Sequence, residues 1–99
     1  MPLLTRLLDE LAELGQIEDR PALGGWELRS GGRTFALVQG ERVWLRTDAG
    51  TRLDYQRRGS LPYSPNPAME TGRFYEVPGD VLADAERLRA WARKALATR

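Results

Sequence analysis

The stretch RFYEVPGDVLADAERLRAWARKAL, residues 73–96, decides the fold, because it joins an apolar strand to the most clearly amphipathic helix of the chain. Phe74 to Val77 are predicted to form the strand, and residues 78–80 a separate turn. Asp84 is the expected N-cap of the main helical run, since its carboxylate can accept hydrogen bonds from unpaired N–H groups of the first turn. The apolar stripe recurs at helical spacing: Val81, Leu82, Ala85, Leu88, Trp91, Ala92, Ala95 and Leu96. A helix with so wide a stripe needs a sheet to cover.

The composition predicts one domain over residues 1–99, with a single modest core. Apolar residues make up 41% and charged residues 29% of the chain, which is typical of a globular protein rather than a disordered one. The formal net charge of +1 provides no global field that would draw the protein onto nucleic acid or an anionic membrane. Lys94 is the only lysine among the 15 basic residues, a bias that genome composition explains as well as recognition does.

Missing residue types exclude several kinds of chemistry. The chain has no cysteine and no histidine, so disulfides, thiolate catalysis and imidazole catalysis are excluded. No apolar run approaches the roughly 20 residues of a membrane span, and Asp9, Glu10 and Glu13 interrupt any signal-peptide core. The carboxylates follow no catalytic or metal-binding pattern. We therefore expect a cytoplasmic protein without a cofactor, membrane contact or enzymatic activity.

The N-terminal leucines predict the first helix. Pro2 suits its first turn, and Gly15 suits a left-handed C-terminal cap. The leucines that share one side of this helix are Leu3, Leu4, Leu7, Leu8, Leu11 and Leu14. Such a stripe indicates either a helix docked on its own core or a dimerisation seam. Residues 16–21 are predicted to form a polar connector.

Three short strand patterns follow and predict an antiparallel meander. They cover residues 25–30, 34–38 and 43–47. Gly31 and Gly32 indicate a two-residue hairpin, because glycine tolerates positive φ. Residues 39–42 form a second tight turn.

The middle of the chain completes the order of elements. Asp48 is a suitable N-cap for a short surface helix over residues 49–57, closed by Gly59. Residues 61–63 are extended and can pair at a sheet edge, whereas the prolines of residues 64–67 exclude regular structure and suggest a mobile loop. The resulting order, α-β-β-β-α-β-β-α, predicts an α+β two-layer sandwich with an antiparallel sheet. Exposed strand edges favour a homodimer.

Several local signatures keep a fixed order between about Leu8 and Leu96. They include the stretch 23–26 (LGGW), the strands at residues 35–38 and 43–46, and an L-x-x-W-A pattern in the last helix. The signature residues are Gly24, Gly25, Tyr75, Val77, Pro78 and Trp91. Taken together, these features resemble the N-terminal domain family of TfoX, the bacterial competence regulator also called Sxy.

The resemblance implies a two-layer fold similar to that of secretion chaperones. It also implies a role in gene regulation, in which the protein acts beside a transcription factor through protein–protein contact. The resemblance implies no catalytic residue. Leu23 departs from the family's usual aromatic residue, and residues 64–71 are rich in proline. Full-length regulators of this type carry a second, C-terminal domain, so a stand-alone domain is expected here. Whether such a domain keeps the regulatory role is left open.

A polar set on the meander is the candidate interaction face: Arg29, Arg33, Arg42, Trp44 and Arg46. Arg29, Trp44 and Arg46 are predicted to share one sheet face, with the other two near the turns. Arginine beside an aromatic ring can stack on bases and bind phosphates, so direct nucleic-acid binding is the alternative to a protein-interaction role. An exposed sheet face also carries long charged side chains without any ligand, and Glu27 and Glu41 partly neutralise this one.

Two further patterns depend on the fold. Gly24 and Gly25 lack a phosphate-loop pattern and precede a strand, so we expect a close backbone approach or a bulge. Arg57, Arg58 and Arg73 extend a basic patch only if the fold brings them together.

Overall fold

The computed structural model describes residues 2–22, 24–63 and 73–98. Five strands form one antiparallel sheet in sequential order: β1 (Glu18–Ala22), β2 (Gly25–Ser30), β3 (Arg33–Gln39), β4 (Arg42–Arg46) and β5 (Phe74–Glu76). The helices are α1 (Pro2–Leu11), α2 (Arg52–Gln56), α3 (Gly79–Leu82) and α4 (Ala85–Leu96), and a 3-10 turn at Ala12–Leu14 follows α1. This arrangement confirms the predicted α+β fold. Leu23 and the loop predicted over residues 64–67 lie outside the described residues.

The predicted meander is confirmed as strands β2, β3 and β4. Gly31 and Gly32 join β2 to β3 with φ of 59° and 79°, a region that glycine adopts without steric cost. The register of this hairpin shifts after Leu28, where Phe35 is the extra residue of a bulge on β3. Phe35 is fully buried, so the bulge adds a large aromatic side chain to the core.

The prediction of a polar connector over residues 16–21 is wrong from Glu18 onward, because this segment forms β1. The strand pairs with β2 over its whole length. Four of its five residues are exposed, so no alternation of apolar side chains distinguishes it from a loop. Pairing with the β2 backbone makes it a strand, while Pro21 and its charged neighbours discourage further pairing at this edge.

Residues 61–63 lie beside β5, as predicted, at the opposite edge of the sheet. The pairing is a single bridge between Pro62 and Tyr75. A backbone hydrogen bond of 2.8 Å flanks it on one side and one of 3.0 Å on the other. Proline has no N–H group to donate, which limits the ladder at this position.

Helices α1 and α4 cover one face of the sheet. Four leucines of α1 are buried in the same cluster as the apolar stripe of α4, so α1 is docked on its own core. The fully buried side chains at the centre include Leu7, Leu28, Leu45 and Leu88. No helix within the described ranges is long and apolar enough to cross a membrane.

The N-terminus of α4 has the predicted cap. One carboxylate oxygen of Asp84 accepts hydrogen bonds from the N–H groups of Glu86 and Arg87, at 3.0 and 3.2 Å. Two otherwise unpaired donors of the first turn are thereby satisfied. The short helix α3 forms the separate turn expected before this cap.

Helix α2 begins later than predicted. The Asp48 carboxylate accepts hydrogen bonds from the N–H groups of Gly50 and Thr51, at 3.0 and 2.9 Å. These bonds close a turn ahead of the helix and lower the pKa of the Asp48 carboxyl. The first helical residue is therefore Arg52.

The prediction that this helix lies wholly on the surface is wrong for one side. Leu53 is exposed as expected, but Tyr55 is buried. The Tyr55 ring lies edge-on to Trp91, with ring centroids 4.7 Å apart, and 5.8 Å from the ring of Tyr75. Burial, assisted by the charge of Asp54, raises the pKa of the Tyr55 hydroxyl, so this group stays neutral at ordinary pH.

Candidate interaction surfaces

Strand β4 separates the two faces of the sheet. Val43 and Leu45 belong to the core formed with α1 and α4. Because side chains alternate along a strand, Arg42, Trp44 and Arg46 lie on the opposite side, which we call the outer face. The five residues predicted as an interaction face divide into two places in the structure.

Trp44 lies at the centre of the outer face and is covered. Only 7% of its surface is exposed, and the Tyr63 ring stands against it at 68°, with ring centroids 5.1 Å apart. The Gln39 side-chain amide donates a hydrogen bond of 2.7 Å to the Tyr63 hydroxyl and holds this arrangement. The Trp44 ring is therefore not an open stacking platform here.

Arg42 lies near Trp44 and is paired. Its Nε is 3.8 Å from a carboxylate oxygen of Glu76 on the neighbouring strand, and the Arg42 side chain is 69% exposed. A pair this exposed contributes little to stability. Its charge is partly compensated by Glu76.

The remaining arginines gather at the other end of β4. Arg29 Nη2 donates to the Gly32 carbonyl at 2.7 Å, and Arg46 Nε donates to the Thr34 carbonyl at 2.8 Å. Arg33 lies between these two carbonyls in sequence and donates to the carbonyl of Thr98, after helix α4. We call this region, with Arg73, the arginine end.

Arg73 joins the arginine end through strand pairing. The Thr47 hydroxyl, one residue beyond Arg46, donates to the Arg73 carbonyl at 3.1 Å, and the ring of Phe74 lies 5.1 Å from the Arg46 guanidinium. Burial, followed by the charges of Arg33 and Arg73, lowers the pKa of the Arg46 guanidinium. The sequence predicted that Arg73 extends a basic patch only if the fold brings it there, because its place depends on pairing between distant strands.

Arg58 does not extend this patch. It is paired with Asp80, and its guanidinium lies 5.9 Å from the centroid of the Trp91 ring. Arg87 also contacts Asp80, at 3.2 Å. The hydrogen bond from Arg58, with the charges of Arg58 and Arg87, lowers the pKa of the Asp80 carboxyl.

A groove of about 330 Å³ runs beside the covered tryptophan. We call it the edge groove, because residues 61–63 form its outer wall. It is lined by Gln39, Arg42, Trp44, Leu61, Pro62, Tyr63 and Glu76. The sequence predicted the pairing of this segment but gave no sign of a groove.

A second groove of about 380 Å³ lies on the other side of the same segment. It shares Leu61 and Glu76 with the edge groove and is otherwise lined mainly by the turn after α2 and the start of α3. Leu61 is 71% exposed and Leu53 is 48% exposed, and these are the exposed large hydrophobic residues of the described chain. Leu61 therefore presents an aliphatic side chain between two concave surfaces.

The signature residues are mainly structural. A Cβ atom at Gly25 would lie 1.9 Å from the Val38 carbonyl oxygen, which confirms the expected close backbone approach, and Gly24 has φ of 82°. Tyr75 and Val77 are buried, and Pro78 directly precedes α3. Trp91 packs against the core from α4.

Within residues 2–22, 24–63 and 73–98, no group of three or more acidic side chains is arranged to hold a metal ion. Comparison with known proteins gave one match to a family model, that of the TfoX N-terminal domain, over residues 9–98. No curated protein shows significant similarity to the chain. The matched region contains all five strands and helices α2 to α4.

Proposed function

We propose, from the premise that this chain belongs to the TfoX N-terminal domain family, that it regulates by binding a protein partner such as a transcription factor. The family is a regulatory and non-catalytic one, and this membership is the observation that carries the proposal. Protein contact, rather than catalysis, is therefore the proposed activity, and the cytoplasm is the proposed location.

The segment Leu61–Tyr63 is the proposed contact surface. Leu61 is the more exposed of the two large apolar residues at the surface of the described chain, and a groove lies on each side of it. Stable interfaces combine an apolar centre with a polar rim. Arg42 and Glu76 supply such a rim on one side, and Arg58 and Asp80 supply it on the other.

Affinity capture from the native lysate, with and without nuclease, tests this function. We expect a transcription factor or polymerase subunit to be recovered in the presence of nuclease. Leu61→Asp should abolish the recovery, because a buried unpaired carboxylate opposes association. Leu53→Asp, which introduces the same charge at another exposed leucine, is the matched control and should retain it. A partner that depends on nucleic acid, or one that both variants retain, would contradict the proposal.

Self-association is a second part of the proposal. The β1 edge carries Pro21 and exposed charges, which oppose pairing with a second sheet, so the Leu61–Tyr63 edge is the one that favours a homodimer. Light scattering after size-exclusion chromatography should give twice the monomer mass at high concentration, and Leu61→Asp should restore the monomer. A monomer at every concentration would remove this part and leave the partner proposal standing.

The alternative, direct nucleic-acid binding through all five predicted residues as one surface, has less support. Base stacking on Trp44 requires the Tyr63 ring to move away, and Arg42 already faces Glu76. Of the five, Arg29, Arg33 and Arg46 form no ion pair with a carboxylate of the described residues.

A further inference from the structure

The arginine end lacks the ion pairs that balance six other basic residues of the described chain. Within the described residues, the ion pairs involve Arg6, Arg42, Arg58, Arg87, Arg89 and Lys94. None of Arg29, Arg33, Arg46 and Arg73 takes part in them. Glu18 lies opposite Arg29 across the β1–β2 pairing, yet it forms no ion pair with it. Arg46 therefore has two positively charged neighbours, Arg33 and Arg73, and no carboxylate of the described residues pairs with any of the four arginines.

Backbone carbonyls hold three of these guanidinium groups in place. Arg29 on β2 and Arg46 on β4, the strands on either side of β3, contact the carbonyls of Gly32 and Thr34, at 2.7 and 2.8 Å. Arg33 lies between these two residues and is anchored on Thr98. Each guanidinium carries five N–H donors, so one carbonyl contact orients the group and leaves most donors available.

The charge of the cluster opposes its own assembly. The pKa of the Arg46 guanidinium is lowered by burial and by the two neighbouring arginines, but arginine remains protonated at neutral pH. Arg29 Nε is also buried without a hydrogen-bond partner in the described chain. An oxyanion placed here would relieve the repulsion and accept several of the available donors at once.

We propose that the arginine end binds the phosphate groups of a nucleotide-type ligand. Guanidinium groups match the geometry of phosphate oxygens and bind them through paired N–H donors. The ligand is either a free nucleotide or the backbone of a single-stranded nucleic acid, and the two share this phosphate chemistry. The site does not use Trp44, Arg42 or the Leu61–Tyr63 surface, so it is independent of the proposed partner contact.

Fluorescence anisotropy with a labelled single-stranded oligothymidine tests the site, and inorganic pyrophosphate serves as the competitor. The test variant is the double substitution Arg33→Gln/Arg73→Gln, which leaves the Thr34 contact of Arg46 in place. We expect binding to weaken by about tenfold for each arginine removed. The slope of log K against log salt should fall by about 0.7 for each lost phosphate contact.

The matched control is Arg42→Gln/Arg87→Gln, which removes the same number of charges from carboxylate-paired positions. It should bind as the unmodified protein does, and the thermal midpoints of both variants should show that they are folded. Displacement by pyrophosphate would identify a site for small phosphates, and failure to displace would identify the polynucleotide backbone. Equal loss in both double variants, or no binding at physiological salt, would overturn the proposal.

Discussion

The two faces of strand β4 differ in how they are covered. On the inner face, Val43 and Leu45 lie against helices and are at most 1% exposed. On the outer face, the Tyr63 ring lies against Trp44, and Arg46 contacts the Thr34 carbonyl and the Phe74 ring. Alternate residues of the five-residue strand β4 therefore belong to a helix-covered core and to an outer face of aromatic and charged side chains.

Sequence periodicity specifies the inner face, whereas contacts between residues far apart in the chain specify the outer face. The inner face follows from repeated apolar spacing in the strands and in α4, because every member must be buried at once. The outer face depends on a Gln39–Tyr63 hydrogen bond and on Arg73 beside Arg46. These contacts join residues that no local pattern connects.

The largest expected effect comes from matched truncations on the two faces. Leu45→Ala should lower the free energy of unfolding by about 2–5 kcal/mol, because it leaves a cavity in the core. Leu37→Ala makes the same chemical change on β3, opposite Trp44 on the outer face, where the site is only partly buried. We expect a clearly smaller loss there.

Urea unfolding of both variants at pH 7 measures the difference. Equal losses for Leu45→Ala and Leu37→Ala would show that the outer face is packed as tightly as the core. The contrast between the two faces would then be wrong.

The cap of α4 should give the next effect, since this helix covers the inner face. Asp84→Ala removes the acceptor for two N–H groups and should destabilise the protein by about 1 kcal/mol. Asp84→Asn keeps an oxygen acceptor and is the control, because asparagine caps helices about as well as aspartate. Thermal unfolding should place Asp84→Asn near the unmodified protein. An equal fall for both variants would assign the effect to the ion pair between the Asp84 carboxylate and Arg87 Nε, which are 3.8 Å apart.

The cap and helix α4 could be predicted because their signals are local. Asp84 precedes an apolar stripe at helical spacing, and both features were confirmed. Strand β1 could not be predicted, since its residues are exposed and its pairing with β2 leaves no pattern in its own sequence. The burial of Tyr55 was also missed, because its partners Tyr75 and Trp91 belong to the C-terminal part of the chain.

The candidate interaction face could also be predicted only in part. The sequence drew attention to Arg29, Arg33 and Arg46, and the structure places these three at one end of the sheet. It separates Arg42 from them, because β4 carries Arg42 and Arg46 at opposite ends. The cover over Trp44 comes from Tyr63, whose position depends on a bridge between residues 62 and 75.

Tyr63→Phe tests the cover of the outer face directly. It keeps the ring against Trp44 and removes the hydroxyl that accepts from Gln39, so we expect a loss of about 1 kcal/mol in the free energy of unfolding. Gln39→Ala combined with Tyr63→Phe should cost less than the sum of the two single changes, because both remove the same bond. Strict additivity in urea unfolding would show that this hydrogen bond does not stabilise the cover.

The smallest expected effect is the pH dependence due to Asp80, whose ion pairs join the loop after α2 to the C-terminal helices. The folded protein holds the pKa of this carboxyl below its ordinary value, mainly through Arg58. The ionised form is therefore favoured by folding, and its contribution is present above the unfolded pKa of about 3.9 and is lost as pH falls through the folded pKa. Asp80→Asn should be less stable than the unmodified protein at pH 7, and the two should converge in acid and in high salt. A difference that persists at low pH would mean that the Asp80 side chain stabilises this region by packing or by a neutral hydrogen bond. Its contribution would then be independent of the carboxylate charge, like that of the packing contacts on the inner face.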